Sequence, residues 1–344
     1  MQGKTIKDNA ITPSGRSLLK AELHLHLEGG AHPELVRKLA ARHGKNLDHF
    51  MRDDGTYIWS DFTTFLKCWD KVAEVICTPE DYADLTEDYL LRNAAEGCFY
   101  TEFFISPDHV ALLGMSYDDL LEGVATGYER ARATCVADGF PIDARFIVTC
   151  VRHMGPEKAV GVAKTVAAKP HPLVTGFGMG GDERMHSQEA FAPAFAIAAD
   201  AGLLCTTHAG EFGGPQSVID ALDHLPVKRI GHGVRSIEDA DLIKRLGDEG
   251  IVLEVCPHSN VALGLYPDLA THPLPRLMDA GVLTTISSDD PPFFATTIGK
   301  EYDSLAALHG WQESEMKGFT RRSLQAAFVD EETRDGLLAR LDAS

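Results

Sequence analysis

Apolar residues along the chain gather into eight short runs, each rich in β-branched or aromatic side chains and each followed by a segment of helical periodicity. The first four are Lys20–Leu27, Cys98–Ser106, Ala144–His153 and Val174–Glu183. The second four are Gly202–Glu211, Arg229–Val234, Ile251–Asn260 and Val282–Pro291. Amphipathic segments such as Tyr117–Asp138, Ser187–Ala201, Pro215–His224 and Ile237–Asp248 lie between them. Strand and helix alternating eight times predicts an α/β fold, a closed (β/α)8 TIM barrel, with an open doubly wound sheet as the competing architecture.

Two departures from an even rhythm shape the expectation. The stretch from Leu27 to Cys98 is far longer than one crossover helix requires and holds three helical patterns, Pro33–His43, Asp61–Ile76 and Glu80–Glu96. At least one is an insertion, placed where barrel insertions can cover the active face. The segment from Gly299 to Ser344 reads as two or three extra C-terminal helices. With no repeat, low-complexity tract or linker, residues 1–344 are expected to form one domain, the first 18 a polar N-terminal extension.

Charge and cysteine usage narrow the class. Lys and Arg number 32 against 51 Asp and Glu, a formal charge of −19, so phosphate backbones and anionic membranes are disfavoured partners. A neutral small molecule meets no such repulsion. Seven cysteines without a C-x-x-C pair suit reduced thiols, and no run approaches the roughly 18 apolar residues of a membrane span. A cytoplasmic protein is expected.

The chemistry concentrates at predicted strand ends. His24 and His26 are two apart in the first strand and so share one face, directed into the barrel. Hydrogen-bonded core histidines would give the same pattern, but His208 ends the fifth strand, His232 lies in the sixth, and Asp289-Asp290 ends the eighth. Barrel enzymes carry their reactive groups at these carboxyl ends. Three imidazoles and a carboxylate suit zinc, which lowers the pKa of bound water to about 7. Glu211, just beyond His208, is placed to carry a proton, or else to cap the helix near Pro215.

The set HLHLEG, GGDE, HAGE, GHG, CPHSN and SSDDP, in this order from Ala21 to Pro291, closely resembles the adenosine/adenine deaminase family of the amidohydrolase superfamily. The resemblance implies one zinc ion held by His24, His26, His208 and Asp289. It implies that Glu211 protonates purine N1 while zinc-activated water, oriented by His232, attacks C6. Asp290 would bond N7, and the backbone of Gly181 would approach N3. Two-metal relatives usually carry a bridging lysine on the fourth strand, and VTGFGMGGDE has none, so a single metal is expected.

Substrate choice is divided. Glu28, where enzymes acting on adenosine usually carry aspartate, looks like the adenine branch. GGDE and the stripe Phe65, Leu66 and Trp69 resemble the adenosine branch and its lid helix, although such a stripe also serves as ordinary core. His258 and the pair Ser287-Ser288 depart from the commonest family residues and are expected near the pocket, where a substituted purine is conceivable. Arg152-His153 is expected to support the site from behind. The motifs together favour adenosine and 2′-deoxyadenosine, deaminated to inosine and ammonia, with adenine as the alternative. More distant readings are another metal-dependent hydrolase or a non-catalytic purine-binding protein.

Overall fold

The computed structural model describes residues 15–344. Eight parallel strands follow one another around the sheet in chain order: β1 (Lys20–Glu22), β2 (Cys98–Ile105), β3 (Asp143–Val151), β4 (Val174–Gly180), β5 (Leu204–Ala209), β6 (Val227–His232), β7 (Val252–Val255) and β8 (Leu283–Ile286). Helices lie between them on the outside, which buries the strands on both faces and accounts for their nearly continuous apolar runs. This is the predicted (β/α)8 arrangement.

The seam between β8 and β1 is made differently from the other contacts. Asp289 N donates to His24 O at 3.2 Å, and His26 N to Asp289 O at 3.1 Å. Below these, Ser287 Oγ accepts from the backbone amides of Leu23 and His24 at 3.2 and 3.1 Å. Ser288 is tied to the Glu22 carboxylate through both its amide and its hydroxyl. Hydroxyls thus replace part of the ladder, and regular pairing stops at Glu22, short of the predicted strand end at Leu27. The seventh stretch is also shorter than its apolar pattern, because Pro257 opens a helical turn over Pro257–Ala262.

Three helices separate β1 from β2: α1 (Pro33–Arg42), α2 (Phe62–Ala73) and α3 (Pro79–Ala95). α3 is the crossover helix. It packs against the helix Tyr117–Ala137 so closely that a Cβ at Gly123 or Gly127 would stand 2.4 Å from a carbonyl oxygen of Pro79 or Ala83. α1 and α2 are the insertion. A capping box between Asp61 and Thr64 starts α2, whose Phe65, Cys68, Trp69 and Val72 are buried. At the other end of the chain, three helices, Ile298–His309, Glu313–Ala326 and Glu331–Asp342, complete the outer layer. The middle one covers the seam from outside: Thr320 Oγ1 donates to Leu19 O and Arg322 Nε to Thr284 O, both at 2.8 Å.

Of the polar extension expected over residues 1–18, residues 1–14 lie outside the described residues. The remainder is built into the fold. Gly15–Ser17 is a 3-10 turn, Leu18 is buried, and the Lys20 ammonium collects the carbonyls of Gly15, Leu18 and Glu96. Among the described residues, no helix is long and apolar enough to cross a membrane.

Inside the barrel the core is partly ionic. Arg229, 1% exposed, donates to Glu102 Oε2 at 2.7 Å and Glu254 Oε1 at 2.6 Å. It also donates to Ala326 O at 2.9 Å, and its guanidinium lies 3.5 Å over the Phe328 ring. Removing one partner from such a network leaves buried charge without compensation. Arg229→Ala is therefore expected to destabilise the protein by about 3–5 kcal/mol, read as a lower urea midpoint. A midpoint matching the parent's would show that the network does not hold the barrel together.

Candidate active site

The residues predicted at separate strand ends converge at the carboxyl face. His24 Nε2 and His26 Nε2 each stand 3.1 Å from His208 Nε2. Asp289 Oδ1 lies 3.6 Å from His24 Nε2 and 3.5 Å from His26 Nε2. His232 joins the group, its ring 4.8 Å from that of His24 and 5.2 Å from that of His208. Both His232 and Asp289 sit at positive φ, 60° and 67°, a strained conformation for such residues.

Hydrogen-bond polarity shows what this cluster requires. His208 Nδ1 lies 2.8 Å from Met179 O, and a carbonyl only accepts, so that nitrogen carries the hydrogen. His24 Nδ1 lies 2.8 Å from Glu254 Oε2, a carboxylate held by Arg229. Both Nε2 atoms are then unprotonated and face each other as lone pairs. A hydrogen from His26 could relieve one of them and leave the other opposed. Burial, followed by the neighbouring imidazoles, holds His24 and His26 well below the ordinary histidine range, and burial takes His208 down to about 4. Protonation is thus an expensive escape, and a cation accepts all the lone pairs at once. Ligands of one zinc ion stand roughly 3–4 Å apart. The 3.1–3.6 Å that separates His208 and Asp289 each from His24 and His26 suits such an ion.

Carboxyl groups surround the adjoining pocket. Burial, then the charges of Asp289 and Glu183, pushes Glu211 well above the usual carboxyl range. Burial and Asp289 do the same to Asp290, and burial raises Glu28 to about 7. Glu211, Asp290, Glu28, Gly181 and His232 all line the pocket. Phe65, Leu66 and Trp69 of α2 form its apolar wall, and Trp69 Nε1 donates to Asp290 Oδ1 at 2.7 Å. Phe65 also packs on Phe293 and Phe294, so the stripe is core and pocket wall together. Gly181 needs to be glycine, with φ at +98° and a Cβ that would fall 2.9 Å from His153 Nδ1.

Two expectations require correction. Ser287 and Ser288 are fully buried in the barrel seam and do not line the pocket. His258 turns away toward Glu301, with Nδ1 2.7 Å from its carboxylate, and is likewise absent from the pocket wall. Of the pair expected behind the site, Arg152 lies there, donating from Nη2 to His208 O at 2.7 Å, whereas His153 lines the pocket itself. Glu211 is free of the capping alternative, since the helix Gly214–His224 has no side-chain cap.

Several polar residues of the site were not singled out from the sequence. Glu183 accepts from four consecutive backbone amides, Gly210 to Gly213, and so fixes the loop bearing Glu211. Glu254 holds His24, and Ser259 Oγ donates to Asp289 Oδ2 at 2.6 Å. Asn260 reaches both Glu211 and His232. A signal existed for Glu254, a lone charge inside the apolar run IVLEV. Ser259 and Asn260 close the motif CPHSN, but nothing in the local pattern gives their side chains a role.

Comparison with known proteins agrees with this geometry. A family model described as Adenosine deaminase matches residues 19–344. The chain is similar to the adenine deaminase of Sinorhizobium medicae (strain WSM419), 51% identical over 324 residues covering 94% of this chain and 98% of the relative. Among solved structures, it is similar to adenine deaminase from Arthrobacter aurescens, with TM-score 0.86, 32% identity, and coverage of 95% of this chain and 98% of the other. A zinc-bound amidohydrolase from Burkholderia ambifaria aligns with TM-score 0.82 at 27% identity, over 96% of this chain and 94% of its own.

Because Glu254 fixes the orientation and hydrogen of His24, Glu254→Gln is expected to weaken ion binding by about 10–100-fold while the fold persists. Competition between the protein and a chromophoric chelator for added zinc would measure this. Unchanged affinity would remove Glu254 from the site.

Proposed function

The chain belongs to the adenosine deaminase family of the amidohydrolase superfamily, and within it we propose that this protein hydrolyses the 6-amino group of adenine, releasing ammonia and hypoxanthine. The observation that carries the choice of base over nucleoside is Glu28. The residue is 3% exposed and lines the pocket, and its carboxyl accepts from Tyr82 Oη at 2.9 Å. A buried carboxyl facing a cavity favours a ligand that brings a donor. Free adenine presents an N9–H on the ring itself, whereas in adenosine the ribose stands there and its donors are hydroxyls farther out, so a carboxyl close to the ring suits the base. The names of the relatives, both similar over 94–95% of the chain, support the same choice. The two features that favour adenosine, GGDE and the α2 stripe whose side chains also belong to the core, weigh less than Glu28 and the relatives, and adenosine gives way to adenine.

His24, His26, His208 and Asp289 are assigned as the ligands of one zinc ion, supported by their spacing, their three-nitrogen, one-oxygen donor set and the zinc in a similar amidohydrolase. When bound, zinc lowers the pKa of water to about 7 and so supplies a nucleophile at neutral pH. Everything else falls to the chain's own residues. Glu211, which keeps its proton because it is buried among other carboxyls, gives that proton to N1 as C6 is attacked. Asp290 has Oδ1 engaged by Trp69, which leaves Oδ2 to carry a hydrogen toward N7. The amide of Gly181 faces N3, and His232 orients the attacking oxygen. Phe65, Leu66 and Trp69 keep bulk water from the ring. The unpaired thiols of all seven cysteines suit a reducing, cytoplasmic setting.

Ammonia release from adenine, adenosine and 2′-deoxyadenosine, measured side by side on zinc-loaded protein, tests the substrate. Adenine is expected to exceed both nucleosides in kcat/KM by about 100-fold or more. A nucleoside equal to or better than adenine would overturn the choice. Glu211→Gln should retain zinc and lower kcat by about 10²–10⁴-fold. Near-parental turnover in that variant would reject Glu211 as the proton donor.

A further inference from the structure

The helical turn after β7 carries a hydrogen-bond chain whose direction is fixed at one end. Leu274 N lies 3.2 Å from His272 Nδ1, and a backbone amide only donates, so His272 Nδ1 is an acceptor and Nε2 holds the ring hydrogen. His272 Nε2 lies 3.1 Å from an Asn260 side-chain atom that must therefore be the oxygen, Oδ1. This settles the orientation of the amide, which geometry alone would leave ambiguous. Asn260 Nδ2 is then directed away from His272, 3.3 Å from His232 Nδ1 and 3.4 Å from Glu211 Oε1. The amide has two hydrogens and here meets two acceptors. Asn260 is fully buried and His272 is 3% exposed, so no bulk solvent competes for these bonds.

We infer that Asn260, oriented by His272, sets the hydrogen positions on both proton-handling residues, fixing His232 as the Nε2–H tautomer and Glu211 Oε1 as the unprotonated oxygen. His232 Nδ1 receives a hydrogen and cannot carry one, so the ring is neutral with its single hydrogen on Nε2. A nitrogen bearing hydrogen cannot bind a metal, which separates His232 from the three imidazole ligands although its ring lies among theirs. His232 then acts as a donor to the attacking oxygen and cannot accept a proton from it. On Glu211 the acidic hydrogen is confined to Oε2, the oxygen left to face N1. Asn260 and His272 are positioning residues. The inference rests on the deaminase reading above for the identity of the reacting atoms, but the tautomer of His232 is measurable without any substrate.

The test is nitrogen NMR on zinc-loaded protein labelled with 15N-histidine, with the His232 signals identified by their loss in His232→Gln. The parent is expected to show a pyridine-type Nδ1 and a pyrrole-type Nε2. Asn260→Asp keeps the shape and replaces the donor by an acceptor, so the two signal types should exchange. In the same variant kcat for adenine should fall by about 100-fold or more with KM changed by less than about threefold, and Asn260→Ala should lose less than Asn260→Asp. A pyridine-type Nε2 in the parent overturns the inference, as does a loss in Asn260→Ala equal to or above that in Asn260→Asp. Parent protein with the expected tautomer but no turnover of adenine would instead count against the deaminase reading.

Discussion

Two imidazoles set with opposed lone pairs 3.1 Å apart are the constraint around which this barrel is organised. The arrangement is unfavourable unless a cation lies between them, and the protein closes off the alternatives. Met179 O takes the hydrogen of His208, and Glu254 takes that of His24, so neither ring can turn its hydrogen inward. Burial makes a second proton costly on either. The buried ionic network below serves the same end. Arg229 bridges Glu254 and Glu102 and is anchored in turn to Ala326 O near the C-terminus, so the far end of the chain helps to orient His24.

Proximity to the seam gives the site its second property. Asp289 exchanges backbone bonds with His24 and His26, so closing the barrel and bringing the carboxylate to the imidazoles are one event. The serines just before it, buried in the seam, do the joining. Positive φ at Asp289 is the local cost of turning the chain sharply there, and the surrounding bonds hold it in place. Trp69 extends this rigidity into the insertion, since its indole fixes Asp290 from the pocket wall.

Around the candidate ion site burial raises the pKa of the carboxyl groups, and their neighbours direct hydrogens. Glu211, Asp290 and Glu28 line one pocket, where burial shifts all three toward the neutral acid and neighbouring carboxylates add to the shift of Glu211 and Asp290. Neutral carboxyls are both donors and acceptors, so which oxygen carries the hydrogen depends on the neighbours. Glu183, by gathering the amides of Gly210 to Gly213, holds the Glu211 loop still, and Asn260 and Trp69 each engage one oxygen of their acid. The result is a set of groups whose hydrogens are assigned before a substrate arrives.

Much of this was legible in the sequence. Eight apolar runs with helical patterns between them dictate the barrel, because strands buried on both faces must be apolar throughout and parallel strands need crossovers. The period of a strand places His24 and His26 on one face, and His208, His232, Asp289 and Asp290 stand at strand ends, so local periodicity is enough to nominate a candidate ion site. What only the tertiary structure decided are relations between distant residues that no local pattern encodes. Examples are Glu254 holding His24, the serines closing the seam, His258 turning to Glu301, and the chain from Leu274 through His272 and Asn260 to His232 and Glu211. Periodicity records which face a side chain occupies, whereas hydrogen-bond direction depends on which donor and acceptor the finished fold sets opposite each other.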